Sequence, residues 1–531
     1  MRFSKVHTIS DNDRDAIIVS VETDVGRGLY HFAIVGLPDK AVAESRDRIS
    51  AAIKNSGFDS PKTKQHKITS SLIPAHVKKS GSSFDLPIAL SYLNAIGTIQ
   101  NIPSDLFFLG ELSLDGSIRS IKYALRTIFR AYNIGARKIF IPNEDKEAVF
   151  SLTTEFPDLL IFPAKNLEEV VLHLNGGENI SPLHESDVLE AKSLSKQIAH
   201  KNASQGLNVT SLENIVGQEC AKRGALIAIA GGHHMLLNGP PGTGKTLLAQ
   251  ACQTLLPNLS NHAAIELSTI FNPSGMGHES DAAFSAAPFR APHHTSSYSS
   301  VIGSSSRSVP GEISRAHRGI LLLDELPEFD RRVIESLREP MEEGQVRLSG
   351  QNGSFILPAR AIIIATANPC PCGYRGTEIK RCICRPLDIK NYERKLSGPF
   401  IDRIDIFISM STTLTNKNTK KILNSNQEGV LTTQAAKEKI INARKIQSER
   451  YAKTGSPDTL NASIKLEDIP AFIHLDNKSN EILEQGIKNL NLSMRGKHRV
   501  LKVARTIADL DGSMNVKAPH ILEALSFRQK E

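Results

Sequence analysis

The stretch GPPGTGKT, Gly239 to Thr246, follows the apolar run HMLLN and precedes TLLAQACQTLL. The pattern G-x-x-x-x-G-K-[ST] between a strand and a helix is that of a phosphate-binding loop. Across Gly239, Pro240, Pro241, Gly242, Thr243 and Gly244, the glycines let backbone N–H groups turn inward around phosphate oxygens. Lys245 stands where an ammonium reaches the β- and γ-phosphates, and Thr246 where a hydroxyl holds Mg2+. The helix that follows favours anions at its N-terminus. A second stretch, GILLLDEL, reads as a buried strand, Ile320 to Leu323, that ends in Asp324 and Glu325. Asp324 suits Mg2+ coordination. Glu325 sits where a carboxylate orients and activates an attacking water. A third, RAIIIATAN, ends in Asn368, an amide placed to sense the γ-phosphate. The chemistry these residue types share is hydrolysis of a nucleoside triphosphate.

Four of the six cysteines fall in the segment that follows, as Cys370-x-Cys372 and Cys382-x-Cys384. Four thiolates can close a tetrahedral Zn2+ shell, although C-x-C is tighter than the commoner C-x2-C. The residues alone leave three readings: a structural zinc, unmetallated thiols in a loop, or a redox switch. With no open position, such a zinc would be structural rather than catalytic.

These residues need elements to hold them. HHMLLNG, GILLLDE, RAIIIATAN and DIFISM are short aliphatic runs that fit a buried parallel sheet over residues 213–412. Residues 1–175 mix strand-like and helix-like stretches: YHFAIVGLP alternates, and DKAVAESRDRISAAIKNSG has helical spacing and stops at Gly57. Residues 176–212 are polar and read as a linker. After the polar TTLTNKNTKK, residues 425–531 carry apolar residues at helical intervals, as in RGKHRVLKVARTIADL. The chain has 531 residues, 40% of them hydrophobic, so several cored domains are expected. A formal charge of +8 leans mildly toward polyanionic partners. The opening MRFSKVHTIS has no apolar core, and no apolar run reaches the roughly 20 residues that span a bilayer. A soluble, cytoplasmic protein with reduced thiols is expected.

Taken together, the motifs resemble those of an AAA+ ATPase. SGPFIDRIDIFI is similar to the stretch that carries that group's arginine finger, which would be Arg403. LSMRGKHRVLKVARTIADL is similar to the sensor-two helix of the lid, with Arg495 in the sensing position. More narrowly, GLPDKAVAESRDRI, PAHVKKSGSSFDLPIAL, GELSLDGSIRSIK, PFRAPHHTSS, PGEISRAH, NPCPCG, LSGPFIDRID and ARTIADLDG resemble the ComM/YifB family, which is magnesium-chelatase-like, over nearly the whole chain. There are departures: IGSSSR stands where the family tends to have glycines, and RLSGQNGSF lacks the usual basic residue after its serine.

The resemblance implies an α/β fold: an AAA+ P-loop core with a helical lid, preceded by a ribosomal-S5-domain-2-like, Lon-protease-like α+β domain. It implies a homo-hexameric, ATP- and Mg2+-dependent motor on single-stranded or branched DNA, a branch-migration helicase of natural transformation (competence). Two rivals stand beside it: a magnesium chelatase motor subunit, and a nucleotide-gated DNA-binding or chaperone adaptor. In the Lon-like domain, Ser83 falls near the serine position, but the lysine position falls on Thr127. An alcohol cannot take the serine's proton near neutral pH, and Lys122 is out of register. A scaffold or DNA-binding domain without peptidase activity is expected. GQVRLSGQNGSFILPAR reads as a hairpin turning at Asn352-Gly353, which in helicase-like relatives points into the pore, with Arg347 the only charge on its two strands. A long loop before it carries Arg290, His293, His294 and Arg307. Cations on either could neutralise phosphates, or both loops could be subunit contacts.

Overall fold

The computed structural model describes residues 3–11, 16–37, 40–62, 65–75, 79, 83–121, 123–183, 210–271, 286–304, 309–350, 353–377, 380–395, 399–411, 432–453 and 458–528. Lys122, Arg307, Asn352, most of the 176–212 linker and the TTLTNKNTKK stretch lie outside the described residues. The chain forms two compact units, residues 1–205 with 260–285, and residues 206–259 with 286–531. The stretch 213–412 therefore contributes to both.

The first unit is built on a seven-stranded mixed sheet. Its order is His31–Val35, His66–Ile73, Ala16–Arg27, Phe3–Asp11, Leu106–Phe108, Lys138–Pro142, Leu160–Ala164. Phe3–Asp11 and Ala16–Arg27 pair antiparallel, and the last three strands run parallel. The alternation seen in YHFAIVGLP is the His31–Val35 strand, and the helical spacing after it is the Lys40–Asn55 helix. The Asp85–Ala95 helix is buried almost throughout, because Leu86, Ile88, Leu90 and Leu93 meet the sheet face lined by Val6, Val19 and Val21. The Asn261–Phe271 helix belongs to this unit: Ile265 is buried with Phe129, Phe150 and Leu152.

The second unit holds a five-stranded sheet in the order Phe289–Arg290, Ile320–Leu323, Ile362–Ala367, Met235–Asn238, Ile406–Ser409. Every pairing in it is parallel. Ile320–Leu323 and Ile362–Ala367 are buried at every position, which is why they read as unbroken aliphatic runs rather than alternating ones. By sequence the strands run 2-3-4-1-5, so the first strand lies between the fourth and fifth. An open parallel sheet places its ligand crevice at such a reversal, outside the carboxyl ends of the strands. The longer helices of the lid are, in order, Thr433–Ala452, Asn477–Asn489, Met494–Leu510 and Ala518–Ser526. Val500, Val503, Ala504 and Ile507 of the third join one apolar core with Leu226, Leu237 and Ile408. No helix among the described residues is long and apolar enough to cross a membrane.

Candidate functional site

The carboxyl ends of three adjacent strands carry the expected groups: Asn238 leads into the P-loop, Leu323 into Asp324-Glu325, and Ala367 into Asn368. Gly242 and Gly244 have φ of +80° and +85°, with open space where a Cβ would stand. Only glycine adopts this backbone without strain, and it turns the loop into the N-terminus of the Lys245–Leu255 helix. Lys245 Nζ donates to the carbonyls of Gly239 (2.6 Å) and Pro240 (2.9 Å) and to Asn368 Oδ1 (3.1 Å). Burial lowers its pKa, opposed by Asp324 and Glu325. The ammonium is thus satisfied by neutral oxygens that an anion can displace. Thr246 Oγ1 donates to Asp324 Oδ1 (3.1 Å) and Oδ2 (3.2 Å). A hydroxyl beside a carboxylate at the start of a helix is the hard-oxygen donor set that Mg2+ takes, so these residues fit MgATP.

Thr366 was not singled out by sequence reasoning, yet it organises the acidic pair. It is a buried hydroxyl on an otherwise apolar strand. Its Oγ1 donates to Asp324 Oδ1 (2.6 Å) and accepts from the Glu325 backbone N–H (2.9 Å). Glu325 itself is exposed and has φ +54°, a left-handed conformation rare for a non-glycine residue. The one visible sign of Thr366 in the sequence is a lone polar residue inside AIIIATAN.

Arg403 and Arg495 come together away from this cluster, on a residue the motifs did not flag. Arg403 Nη2 lies 2.7 Å from Glu342, and Arg495 Nη2 lies 2.9 Å from the same carboxylate. Arg403 is buried, donates also to the Pro399 carbonyl, and has a buried Nε without a hydrogen-bond partner. The Met494–Leu510 helix is wired to the same segment: Arg499 donates to the Arg403 carbonyl (2.9 Å) and to Asp405 (2.6 Å). Arg403 and Glu342 line a cavity of about 340 Å3 together with Arg338, Glu339 and Arg347.

Two of the side chains named for DNA, Arg290 and Arg347, are paired with carboxylates. Arg290 bonds Glu312 at 2.7 Å and 3.2 Å, and Arg347 bonds Glu343 at 2.8 Å. The rings of His293 and His294 lie 4.1 Å apart, and His293 Nδ1 is 2.8 Å from the Thr295 hydroxyl. The hairpin forms as expected, Gln345–Gly350 against Gly353–Pro358, with Ile356 exposed.

The four cysteines close into one cluster. Cys370 Sγ is 3.4 Å from Cys372 Sγ and 3.7 Å from Cys382 Sγ, Cys372 and Cys382 are 3.6 Å apart, and all four sulfurs lie within 4.8 Å of one another. The Cys372 N–H donates to Cys384 Sγ (3.3 Å). Backbone N–H groups of Tyr374 and Ile383 hold the Cys372 thiol down at about 6. The cluster can bind a metal ion.

In the first unit Thr127, the residue in the register of the Lon lysine, is tied to a carboxylate. Thr127 Oγ1 donates to Asp11 Oδ2 (3.1 Å), beside Arg126 (2.8 Å) and Arg130 (2.7 Å) on the same carboxylate. Buried Lys79 spends its amine on the carbonyls of Leu72 (3.0 Å) and Pro74.

Three family models match: "Magnesium chelatase, subunit ChlI" over residues 211–419, "Subunit ChlI of Mg-chelatase" over 21–145, and "Magnesium chelatase, subunit ChlI C-terminal" over 431–528. The chain is 36% identical to "Uncharacterized protein YifB" of Escherichia coli, covering 99% of this chain and 97% of that one. It is 36% identical to "Competence protein ComM" of Haemophilus influenzae, covering 99% and 98%. It is 32% identical to "Uncharacterized protein Rv2897c" of Mycobacterium tuberculosis, covering 100% and 99%. The chain belongs to the ComM/YifB family of magnesium-chelatase-like AAA+ proteins.

Proposed function

We propose that the protein is a cytoplasmic ATPase that assembles as a hexameric ring and moves DNA, as a branch-migration helicase in recombination of transformed DNA. The observation that carries the reading is the hydrogen-bonded cluster Lys245–Asn368 and Thr246–Asp324–Thr366–Glu325 at the carboxyl ends of three parallel strands. In this reading the Gly239–Thr246 loop and Lys245 receive the phosphates, with Lys245 exchanging loop carbonyls for phosphate oxygens. Thr246 and Asp324 hold Mg2+, which when bound supplies positive charge to the phosphate oxygens. Thr366 fixes Asp324 and the Glu325 backbone, so the exposed Glu325 carboxylate orients the water and accepts its proton. Asn368 reports the γ-phosphate to its strand. Arg403 completes a neighbour's site once Glu342 releases it, which makes the ring part of the catalyst, and Arg495 senses the nucleotide from the lid. A structural Zn2+ on Cys370, Cys372, Cys382 and Cys384 belongs to the same reading.

Support for DNA comes from the relative named a competence protein, and from the hairpin that offers Ile356 and Arg347. ATPase rate is measured alone and with single-stranded, forked and four-way DNA. Stimulation by branched DNA, lost in Arg347→Ala, is the expected result. The matched family descriptions favour one second reading, a chelatase motor subunit. ATP-dependent Mg2+ insertion into a porphyrin with partner subunits, with no response to DNA, would replace the first reading by this one.

A further inference from the structure

The cysteine cluster stands directly on the nucleotide cluster. Asn368, whose amide oxygen takes a hydrogen bond from Lys245, is two residues from Cys370. The Gly373 N–H closes a turn onto the Cys370 carbonyl (2.9 Å). That turn brings Gly373, at φ +83°, against the P-loop. A Cβ built on it would stand 2.6 Å from Pro241 Cδ and 2.7 Å from Cγ, closer than real Cβ contacts allow. The far side of the excursion returns to the same place. Cys384 leads into the Pro386–Lys395 helix, whose Tyr392 is buried. The Tyr392 hydroxyl sits at the Asn368 backbone N–H, with Glu328, Glu325 and Cys370 also near it. Lys395 Nζ donates to the Pro327 carbonyl (2.7 Å), three residues after Asp324.

The sulfur geometry matches a particular occupant. A tetrahedral Zn2+ with bonds near 2.3 Å holds its sulfurs about 3.8 Å apart. The separations among Cys370, Cys372 and Cys382 are 3.4, 3.6 and 3.7 Å, and Cys384 Sγ lies within 4.8 Å of the other three. Cys370 and Cys372 come from the strand side and Cys382 and Cys384 from the helix side, so one ion would tie both legs of the excursion together. Without it, only the Cys370–Gly373 turn is left to press Gly373 on Pro241.

We infer that a Zn2+ held by Cys370, Cys372, Cys382 and Cys384 braces the P-loop through Gly373 and Pro241, so that metal occupancy sets how well the site holds and turns over nucleotide. This rests on the ATP reading above and adds a structural metal as a condition for it. The ion takes no part in the chemistry, because four thiolates fill its shell. Outer contacts that orient a reacting group are worth about 10- to 100-fold in related metal and catalytic sites, and the brace falls in that range.

The test uses the full-length chain in four forms: wild type, Cys382→Ser with Cys384→Ser, Cys384→His, and Gly373→Ala. Zinc is measured by elemental analysis, a fluorescent ADP analogue gives nucleotide Kd, and circular dichroism reports folding. One zinc per wild-type chain is expected. The double serine variant should lose zinc and bind the analogue about tenfold more weakly. Cys384→His, which keeps a zinc ligand, should retain both. Gly373→Ala should keep its zinc and still weaken binding, because it strikes Pro241 directly; it tests the brace even if the serine variant does not fold. Wild type without zinc, or a folded zinc-free variant with unchanged Kd, overturns the inference and leaves the ATPase reading standing. Unchanged Kd in zinc-loaded Gly373→Ala overturns the contact with Pro241. Wild type that carries zinc and binds no nucleotide sinks the ATPase reading instead.

Discussion

Two clusters in this molecule gather a carboxylate, a cation and a threonine hydroxyl, and they are put together differently. In the first unit, Asp11 receives Arg126, Arg130 and Thr127, and both Asp11 and Arg126 are nearly inaccessible, 3% and 4% exposed. All three side chains donate to this one carboxylate. In the second unit, the cation Lys245 rests on loop carbonyls and an amide instead of on the nearby carboxylates. Glu325 points out from a left-handed backbone, a conformation that costs on the order of 1–3 kcal/mol unless its surroundings enforce it. Thr366 supplies that enforcement. A closed cluster stabilises a fold; one that keeps a charge on replaceable partners and a carboxylate exposed is poised to act. The same contrast explains why Thr127, in the register of a protease lysine, is a tether.

The largest effect should come from Arg403, which the proposed ring would bring to a neighbour's open cluster. A guanidinium that stabilises a transferring phosphoryl group is worth about three to five powers of ten. Arg403→Ala should bind ATP and lose hydrolysis by that order. Mixed with Lys245→Ala, itself inactive, it should partly recover, since some interfaces then join a good P-loop to a good arginine. Full activity of Arg403→Ala alone would remove the finger. Glu325→Gln comes next. It keeps shape but cannot accept a proton, so turnover should fall about 100- to 10,000-fold with nucleotide binding preserved. Wild-type turnover in that variant would move the base elsewhere.

Breaking the closed cluster should do the opposite. Asp11→Ala leaves two guanidinium groups facing each other in a buried site, and removing one partner of a buried pair costs about 3–5 kcal/mol. The urea midpoint of the first unit should drop, while nucleotide affinity of the protein that remains folded stays unchanged. Wild-type protein with unfolded casein and ATP should release no peptides, and Ser83→Ala should change nothing. Casein cleavage abolished by Ser83→Ala would make the Asp11 cluster part of a working site.

The open cluster was legible in the sequence because its members sit next to motifs: a glycine-rich loop, an acidic pair after four aliphatics, an amide after another strand. The closed one was not, since Asp11 and its arginines are more than a hundred residues apart. Distance also hid Glu342, one acid in REPMEEG, and the Arg290–Glu312 pair, which turns a candidate phosphate contact into an internal bond. The Asn261–Phe271 helix falls inside the 213–412 stretch that read as one α/β segment, yet it packs in the first unit, because local sequence does not say which core receives a helix. The four cysteines were legible as a group; their seat on Pro241 was not, for it depends on a glycine turn that only coordinates reveal.

The smallest effect tests the boundary between the two kinds of cluster. His234 lies just before the P-loop strand, and its Nδ1 accepts from the Ile363 N–H (3.1 Å). Burial drives its pKa down to about 4, against the pull of Asp405 and with help from Arg499 and His233. The folded protein thus keeps the ring neutral to about pH 4, whereas the unfolded chain takes up its proton near the ordinary value of about 6.5. Stability from this site is full above about pH 6.5. It falls as pH drops toward 4, because unfolding then binds a proton, with a slope approaching about 1.4 kcal/mol per pH unit. Asp405, despite its burial, is held well below the usual carboxylate range by Arg499 and His233, so its own loss comes below this window. His234→Asn can still accept the Ile363 hydrogen bond but does not titrate. The gap between its urea midpoints at pH 7 and pH 5 should therefore be narrower than in wild type. An equal gap in both proteins would mean that His234 is protonated in the folded state, and that this part of the core is as open to solvent as the nucleotide cluster beside it.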